Sequence, residues 1–397
     1  MSTGSTVAVT GLGCLSAAGC TLPECMASLF RGARDPQPPA RFQTAHPVRY
    51  PVFEVPDRFL EDAAWRDWDI LRTSRLALAA VREALGDAGL ARAALRGRRV
   101  GVCVGTTVGS AMNNEEFYRE YRSGGRPEMA PIERFLRSNP AAVIRRAFDL
   151  SGPCQTVVNA CSSGTDAVGI GRSWIRGGVC DAVLAGGADE LCRVTYNGFI
   201  SLMITSEVPC MPFDRDRRGL NLGEGAAMLL LEPEDAVRAR GGRVRARVLG
   251  FGMACDAHHV TAPHPEGVGL RRAIGVALRM SAAERGEIAF VNAHGTGTPD
   301  NDRVESRALS DLLPGIPFLS TKGYTGHTLG AAGAIEAAFT IACLEEGRIP
   351  ASAGFSVPDP DLPAHPVAAA TAVRGRLALS QSLAFGGNNS VLVFGKA

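Results

Sequence analysis

The eleven residues Thr156-Val157-Val158-Asn159-Ala160-Cys161-Ser162-Ser163-Gly164-Thr165-Asp166 constrain this chain most. A β-branched run breaks off at one cysteine, and small residues then open an amphipathic stretch. Ala167, Val168, Ile170 and Gly171 share a face there, with Trp174 and Ile175 a turn later. That pattern predicts strand, sharp turn and helix, with Cys161 at the first helical turn. A thiol in that position faces the positive end of the helix and its unpaired N–H groups, so the expectation is a lowered pKa and a nucleophile. Buried cysteines are commonly inert packing residues, and the other ten in this chain read that way.

The rest of the chain must accommodate that turn. It has 397 residues, 46% of them hydrophobic, enough for two domains or one large duplicated one. A formal charge of +2 and the lack of any basic run with interleaved aromatics argue against nucleic acid. The eleven cysteines are odd in number and form no C-x-x-C pair, as expected of reduced thiols in a cytoplasmic protein. No basic leader precedes the strand-like Val7-Ala8-Val9-Thr10, and no apolar stretch nears the roughly 20 residues of a membrane span. The reading is therefore a cytoplasmic protein without a membrane partner.

Val7 to Gly19 is a strand entering a glycine-rich turn. Ser16 stands where a dinucleotide fingerprint needs its third glycine, so cofactor binding is not expected there. Asp69 to Leu90 carries a helical stripe of Ile70, Leu71, Leu76, Ala77, Ala80, Val81, Ala84 and Leu85. Arg66, Arg72, Arg75 and Arg82 flank it as a solvated face or a docking patch for an acidic partner. Residues 109–140 are polar and irregular, a cap or an interface. The charged loop Pro212–Gly219, leading to Gly223-Glu224-Gly225, reads as a salt-bridged turn that supports a site. Glu234 to Gly242 is a plausible boundary between residues 1–240 and 241–397.

Beyond that boundary the pattern repeats. Val158-Asn159-Ala160-Cys161 and Val291-Asn292-Ala293-His294 each precede small residues and a Gly-Thr pair. This implies two copies of one α/β unit, with Cys161 and His294 at equivalent strand ends. Lys322 and His327 sit on a glycine-broken loop before an Ala/Gly-rich helix, Leu329 to Leu344. Glu336 lies inside that apolar helix, where a carboxylate is costly unless paired, and Lys322 is the candidate partner. His258, His259 and His264 share a loop, but no carboxylate pattern beyond Asp256 accompanies them, so no metal site is expected. The hairpin Ala384-Phe385-Gly386-Gly387-Asn388-Asn389 can present backbone N–H groups to an oxyanion.

Together, NACSSG, NAHGTGTPDND, KGYTGHTLGAAGAIEA, PFDRDRRG with GEGAA, and AFGGNNS resemble the β-ketoacyl-acyl carrier protein synthases, in family order from Val7 to Phe394. The elongating type, with one cysteine and two histidines, is the nearest. The resemblance implies a thiolase-like α/β fold, duplicated as five layers α-β-α-β-α, working as a homodimer or as a heterodimer with a chain-length factor. It implies Cys161 as nucleophile, His294 and His327 as catalytic histidines, and Lys322 and Glu336 as their support. Phe385 would be the gating aromatic, its N–H and that of Cys161 forming the oxyanion hole. Thr296 and Thr298 would hold the pantetheine arm of an acyl carrier protein, with no other cofactor and no metal. Val108 and Met112 would line the acyl pocket with Ala384, and Arg66, Arg72 and Arg75 would dock the acidic carrier.

The implied reaction is decarboxylative condensation of a Cys161-bound acyl chain with malonyl-carrier, extending it by two carbons. A starter-condensing enzyme would carry asparagine where His327 stands, a degradative thiolase a second cysteine near Ala384-Phe385, and a chain-length factor no cysteine at 161. A cysteine protease would lack the tandem Gly-Thr motifs. Ala384 replaces the family's usual glycine, Asn388-Asn389 its threonine-asparagine, and Met112 to Glu116 is polar for a long saturated chain. Those departures favour type II polyketide or polyene assembly over housekeeping fatty-acid elongation, with a mainly scaffolding subunit as the reading from another class.

Overall fold

Every residue of Val100–Gly105 and Ala182–Asp189 is buried, which marks strands covered on both faces. The computed structural model describes residues 6–58 and 65–397. Its strands are β1 Val7–Ser16, β2 Val100–Gly105, β3 Cys154–Val157, β4 Ala182–Asp189, β5 Gly225–Pro233, β6 Ala246–Cys255, β7 Ile288–Asn292, β8 Phe318–Leu319, β9 Arg348–Ile349, β10 Thr371–Ala372, β11 Leu377–Ala384 and β12 Asn388–Lys396. β9 and β10 pair separately. The others form one hydrogen-bonded sheet in the order β3-β2-β4-β5-β1-β6-β12-β11-β7-β8.

Read outward from the β1–β6 seam, the two halves are the same. One runs β1-β5-β4-β2-β3 and the other β6-β12-β11-β7-β8. In each, the outer pairings are parallel and the inner ones antiparallel. The seam itself is short, Ala8 opposite Arg247 and Val9 opposite Ala246. The duplication is real, but the Val-Asn-Ala correspondence is not part of it. Cys161 follows β3, the third strand of its half, whereas His294 follows β7, the second strand of its half. The counterpart of β3 is β8, so the loop matching the Cys161 turn is the one that carries Lys322 and His327. The shared tripeptide therefore reflects similar tight turns at two strand ends, one strand buried (β7) and one partly exposed (β3).

The strand period of two sorts side chains into layers. Along β5, Ala226, Met228 and Leu230 face one cluster, with helices Arg72–Asp87 and Pro140–Phe148. Ala227, Leu229 and Leu231 face the middle cluster, which includes helices Leu22–Arg31, Ser163–Arg176 and Ala332–Glu346. A third cluster joins helices Val268–Ser281 and Pro299–Leu312 to the far side of the second half. The layers are therefore α-β-α-β-α, as the sequence implied. Among the described residues no helix is long and apolar enough to cross a membrane.

The two central helices touch almost backbone to backbone. A Cβ on Gly333 would stand 2.0 Å from Thr165 Oγ1, and one on Gly164 would stand 2.8 Å from the Ala334 nitrogen. Because each helix follows one of the two matching loops, this crossing sets the distance between Cys161 and His327. Gly333→Val is accordingly expected to destabilise the fold by about 1–3 kcal/mol through overpacking. A thermal midpoint equal to that of the unaltered chain would contradict this close packing.

Candidate active site

Three turns meet in the middle layer. The first leaves β3 and places Ala160 at φ 48°, a left-handed conformation that is uncommon and strained outside glycine. Local hydroxyls hold it: Ser163 Oγ accepts from the Asn159 N–H at 2.8 Å and donates to the Ala160 carbonyl at 2.6 Å, while Ser162 Oγ donates to the Asn159 carbonyl at 2.9 Å. Cys161 is thereby turned inward, 5% exposed, just before the helix Ser163–Arg176. The second turn leaves β7. Buried Glu305 accepts the N–H groups of His294 at 2.6 Å and Gly295 at 2.7 Å. The third follows β8, where Gly326 at φ 65° lets the chain reverse and bring His327 back to Cys161.

The histidine tautomers follow from their partners. His327 Nδ1 accepts the Leu329 N–H at 3.3 Å, so its proton is on Nε2, 3.1 Å from Cys161 Sγ. His294 Nδ1 lies 3.0 Å from the Lys322 ammonium, a group that only donates, so His294 too carries its proton on Nε2. The rings lie 5.2 Å apart and nearly perpendicular, at 83°. The Lys322 ammonium also donates to the His294 carbonyl at 2.6 Å and to Glu336 Oε1, which commits its three protons. The expected Lys322–Glu336 pair is therefore present, and both side chains are buried.

Burial governs the protonation states. It depresses both histidines well below their ordinary range, and the Lys322 charge adds to the effect. It raises Glu336 to about 7 against the pull of Lys322. It also pushes the Cys161 thiol up to about 11, although Lys322 and the Phe385 N–H favour the thiolate. This corrects the lowered pKa expected from the helix start. The resting site is a thiol beside two neutral imidazoles, with the His327 and Phe385 N–H groups aimed at the sulfur.

A cavity of about 230 Å³ opens onto this group, and Cys161, His294, His327, Thr296, Thr298 and Phe385 are among its lining residues. Ala384 lines it too, and the Phe385 ring stacks on Phe199 at 5.5 Å. Thr296 Oγ1 and Thr298 Oγ1 lie 2.8 Å apart on the wall. Two expected lining residues are elsewhere. Val108 borders a separate cavity of about 260 Å³ with Leu136 and Val158, and Met112 packs against the apolar group around Phe42 and Tyr196. Buried Asp189 anchors the loop after β2 by accepting the N–H groups of Thr107 at 2.8 Å and Gly109 at 3.1 Å.

Two of the three docking arginines face inward as well. Arg72 grips Glu224 at 2.6 and 2.9 Å and Asp57 at 2.8 Å. Arg75 donates to the carbonyls of Trp68 at 2.7 Å and Trp65 at 3.1 Å. Flanking arginines become structural where the preceding turn and the distant Glu224 segment close over them, and only Arg66 is exposed among the three. Glu224 belongs to the Gly-Glu-Gly segment read as a salt-bridged support, and it serves that purpose. Glu305 and Asp189 escaped the sequence reading. The available signal for Glu305 was its place three residues after Asp302 on the helix that follows His294. Asp302 accepts the N–H of Phe213 at 2.7 Å and of Gly297 at 3.2 Å.

Comparison with known proteins agrees with this geometry. Residues 4–236 match the model of the β-ketoacyl synthase N-terminal domain, and residues 245–356 that of the C-terminal domain. The chain is 33% identical to a 3-oxoacyl-[acyl-carrier-protein] synthase 2 of Synechocystis, over 98% of both chains. It is 36% identical to the tetracenomycin polyketide synthase ketoacyl synthase alpha subunit of Streptomyces glaucescens, covering 73% of this chain and 72% of that one. Among solved structures, the ishigamide ketosynthase/chain length factor superposes with a TM-score of 0.91 at 35% identity, over 99% of this chain and 100% of that one. The chain belongs to the β-ketoacyl synthase family and is an acyltransferase that forms carbon–carbon bonds.

Two measurements test the site. Lys322→Met strands Glu336 in the interior and is expected to cost about 3–5 kcal/mol. Lys322→Met combined with Glu336→Leu should regain most of that stability without regaining activity, and equal losses in the single and double variants would refute the coupling. With the thiol near 11, alkylation of Cys161 by iodoacetamide should climb about tenfold per pH unit between pH 7 and 9. A plateau starting near neutrality would reveal a preformed thiolate instead.

Proposed function

We propose that this chain is an elongating 3-oxoacyl-[acyl-carrier-protein] synthase of a type II polyketide or polyene pathway, acting in the cytoplasm. The observation that carries the reaction is the convergence of Cys161 with two Nε2–H imidazoles under the Phe385 N–H. Cys161 attacks an acyl thioester on the carrier, its proton leaves with the carrier thiol, and the acyl group stays on sulfur. The N–H groups of Cys161 and Phe385 receive the oxyanion. Malonyl-carrier then binds with its pantetheine arm along Thr296 and Thr298. Loss of CO2 leaves the bonding pair as an enolate, whose oxygen takes hydrogen bonds from His294 and His327. Neutral imidazoles suit that role, because they stabilise the oxygen without protonating the carbon. The enolate attacks the Cys161 thioester, the tetrahedral adduct expels the thiolate, and a 3-oxoacyl-carrier two carbons longer departs. Lys322 and Glu336 hold His294 in its tautomer. Each of these steps proceeds without a metal or nucleotide.

The pathway rests on likeness to the ishigamide and tetracenomycin ketosynthases and on the departures at Ala384 and Asn388. A heterodimer with a chain-length factor fits the ishigamide likeness, and a homodimer remains the other arrangement. Exposed Arg66 is the surviving docking candidate for an acidic carrier. Housekeeping elongation is the second reading, because the Synechocystis 3-oxoacyl-[acyl-carrier-protein] synthase 2 matches over nearly the whole chain. A mainly scaffolding subunit is disfavoured by the intact Cys161 constellation.

Cys161→Ala is expected to abolish the acyl-enzyme in intact-mass spectra and to lower condensation by roughly a thousandfold or more. Condensation retained in that variant would remove Cys161 from the mechanism. Robust elongation of long saturated acyl-carriers by the chain alone would instead favour the housekeeping reading.

A further inference from the structure

The hairpin bearing Phe385 is tied to the nucleophile turn by side-chain hydrogen bonds that run in one direction. Asp166 lies buried in the first turn of the helix Ser163–Arg176. Its Oδ2 accepts from Asn159 Nδ2 at 2.6 Å and lies 2.9 Å from Ser162 Oγ, whose one proton is shared between it and the Asn159 carbonyl, and its Oδ1 accepts from Ser390 Oγ. The carboxylate therefore orients the Asn159 amide: its NH2 faces Asp166 and its oxygen faces away. That oxygen accepts from Asn388 Nδ2 at 2.6 Å, and the same Asn388 nitrogen lies 3.4 Å from the Phe385 carbonyl. On the other side the hairpin is held by Gly386 N–H to the Val260 carbonyl at 2.7 Å, Asp256 N–H to the Gly387 carbonyl at 2.8 Å and the Cys255 thiol against the Gly386 carbonyl at 3.4 Å. Between these anchors, Gly386 and Gly387 both take positive φ, 83° and 78°, so the segment has two swivels.

We infer that Asn388 is a positioning residue for acyl transfer, latching the Phe385 hairpin through Asn159 and Asp166 so that the Phe385 N–H stays on the Cys161 sulfur. The latch joins the residue that bears the oxyanion donor to the strained turn that bears the nucleophile. Both partners of the tetrahedral adduct are thus referenced to one carboxylate. This deepens the proposed function and rests on Cys161 being the acyl acceptor.

Asn388→Asp replaces the donor with an acceptor opposite the Asn159 oxygen and should free the hairpin; Asn388→Ser, whose hydroxyl falls short, serves if the first variant does not fold. Two rates at Cys161 would be read by mass spectrometry of its peptide. Acylation by the hexanoyl N-acetylcysteamine thioester should fall about tenfold in kcat with KM within about twofold, since an oxyanion donor is displaced. Alkylation by iodoacetamide at fixed pH should rise about threefold, since the sulfur is less covered. Opposite movement of the two rates is the signature of the latch. Unchanged rates in a folded variant, or both falling together, would overturn it. Absence of any acyl group on Cys161 in the unaltered chain would instead strike the catalytic reading, and alkylation would still decide the latch.

Discussion

The buried ammonium of Lys322 is the interaction on which the site depends. Removing a charge from water costs several kcal/mol unless every donor is met, and here Glu336, the His294 carbonyl and His294 Nδ1 meet all three. Those partners come from the turn after β7 and the central helix Ala332–Glu346, while Lys322 itself stands on the loop after β8. One cation therefore fixes the register of three elements. It also assigns the proton of His294 to the nitrogen that faces the cavity. A neutral side chain at 322 would leave that tautomer undetermined.

A second constraint is the crossing of the central helices. Duplicated halves meeting at a short β1–β6 seam place two matching loops on either side of one layer. Glycines and alanines in that layer allow the loops to approach until His327 Nε2 and Cys161 Sγ lie within 3.1 Å. The acidic helix Pro299–Leu312 then ties the His294 turn from the far side through Asp302 and Glu305.

At Cys161 two effects oppose each other, and their sizes decide the outcome. A helix start favours a nearby anion by about 0.3–1 kcal/mol. The rise of the thiol from 9.0 to about 11 corresponds to roughly 3 kcal/mol against the thiolate. Burial wins at rest. The sulfur nevertheless has two N–H donors already aimed at it, so the stabilisation appears as charge develops during the reaction.

Local order determined much of this protein. Period-two and helical patterns, the apolar run into Cys161 and the lone carboxylate of Glu336 in an apolar helix were legible without coordinates, because each is a statement about one element and its burial. So was the family, since its motifs are contiguous stretches. What only the tertiary structure decided were relations between distant elements. The Val-Asn-Ala repeat pointed to the wrong equivalence, because strand order in space, not similarity of turns, pairs β3 with β8. Arg72 and Arg75 read as surface charges until Glu224 and the carbonyls of the preceding turn claimed them. Val108 and Met112 read as pocket lining, whereas in the structure Val108 borders the neighbouring cavity and Met112 joins the apolar group around Phe42. The Cys161 pKa depended on how completely later segments would cover it. Sequence specifies what each residue needs, a partner, a cover or a turn; which residue meets that need is settled when chain segments hundreds of positions apart pack against each other.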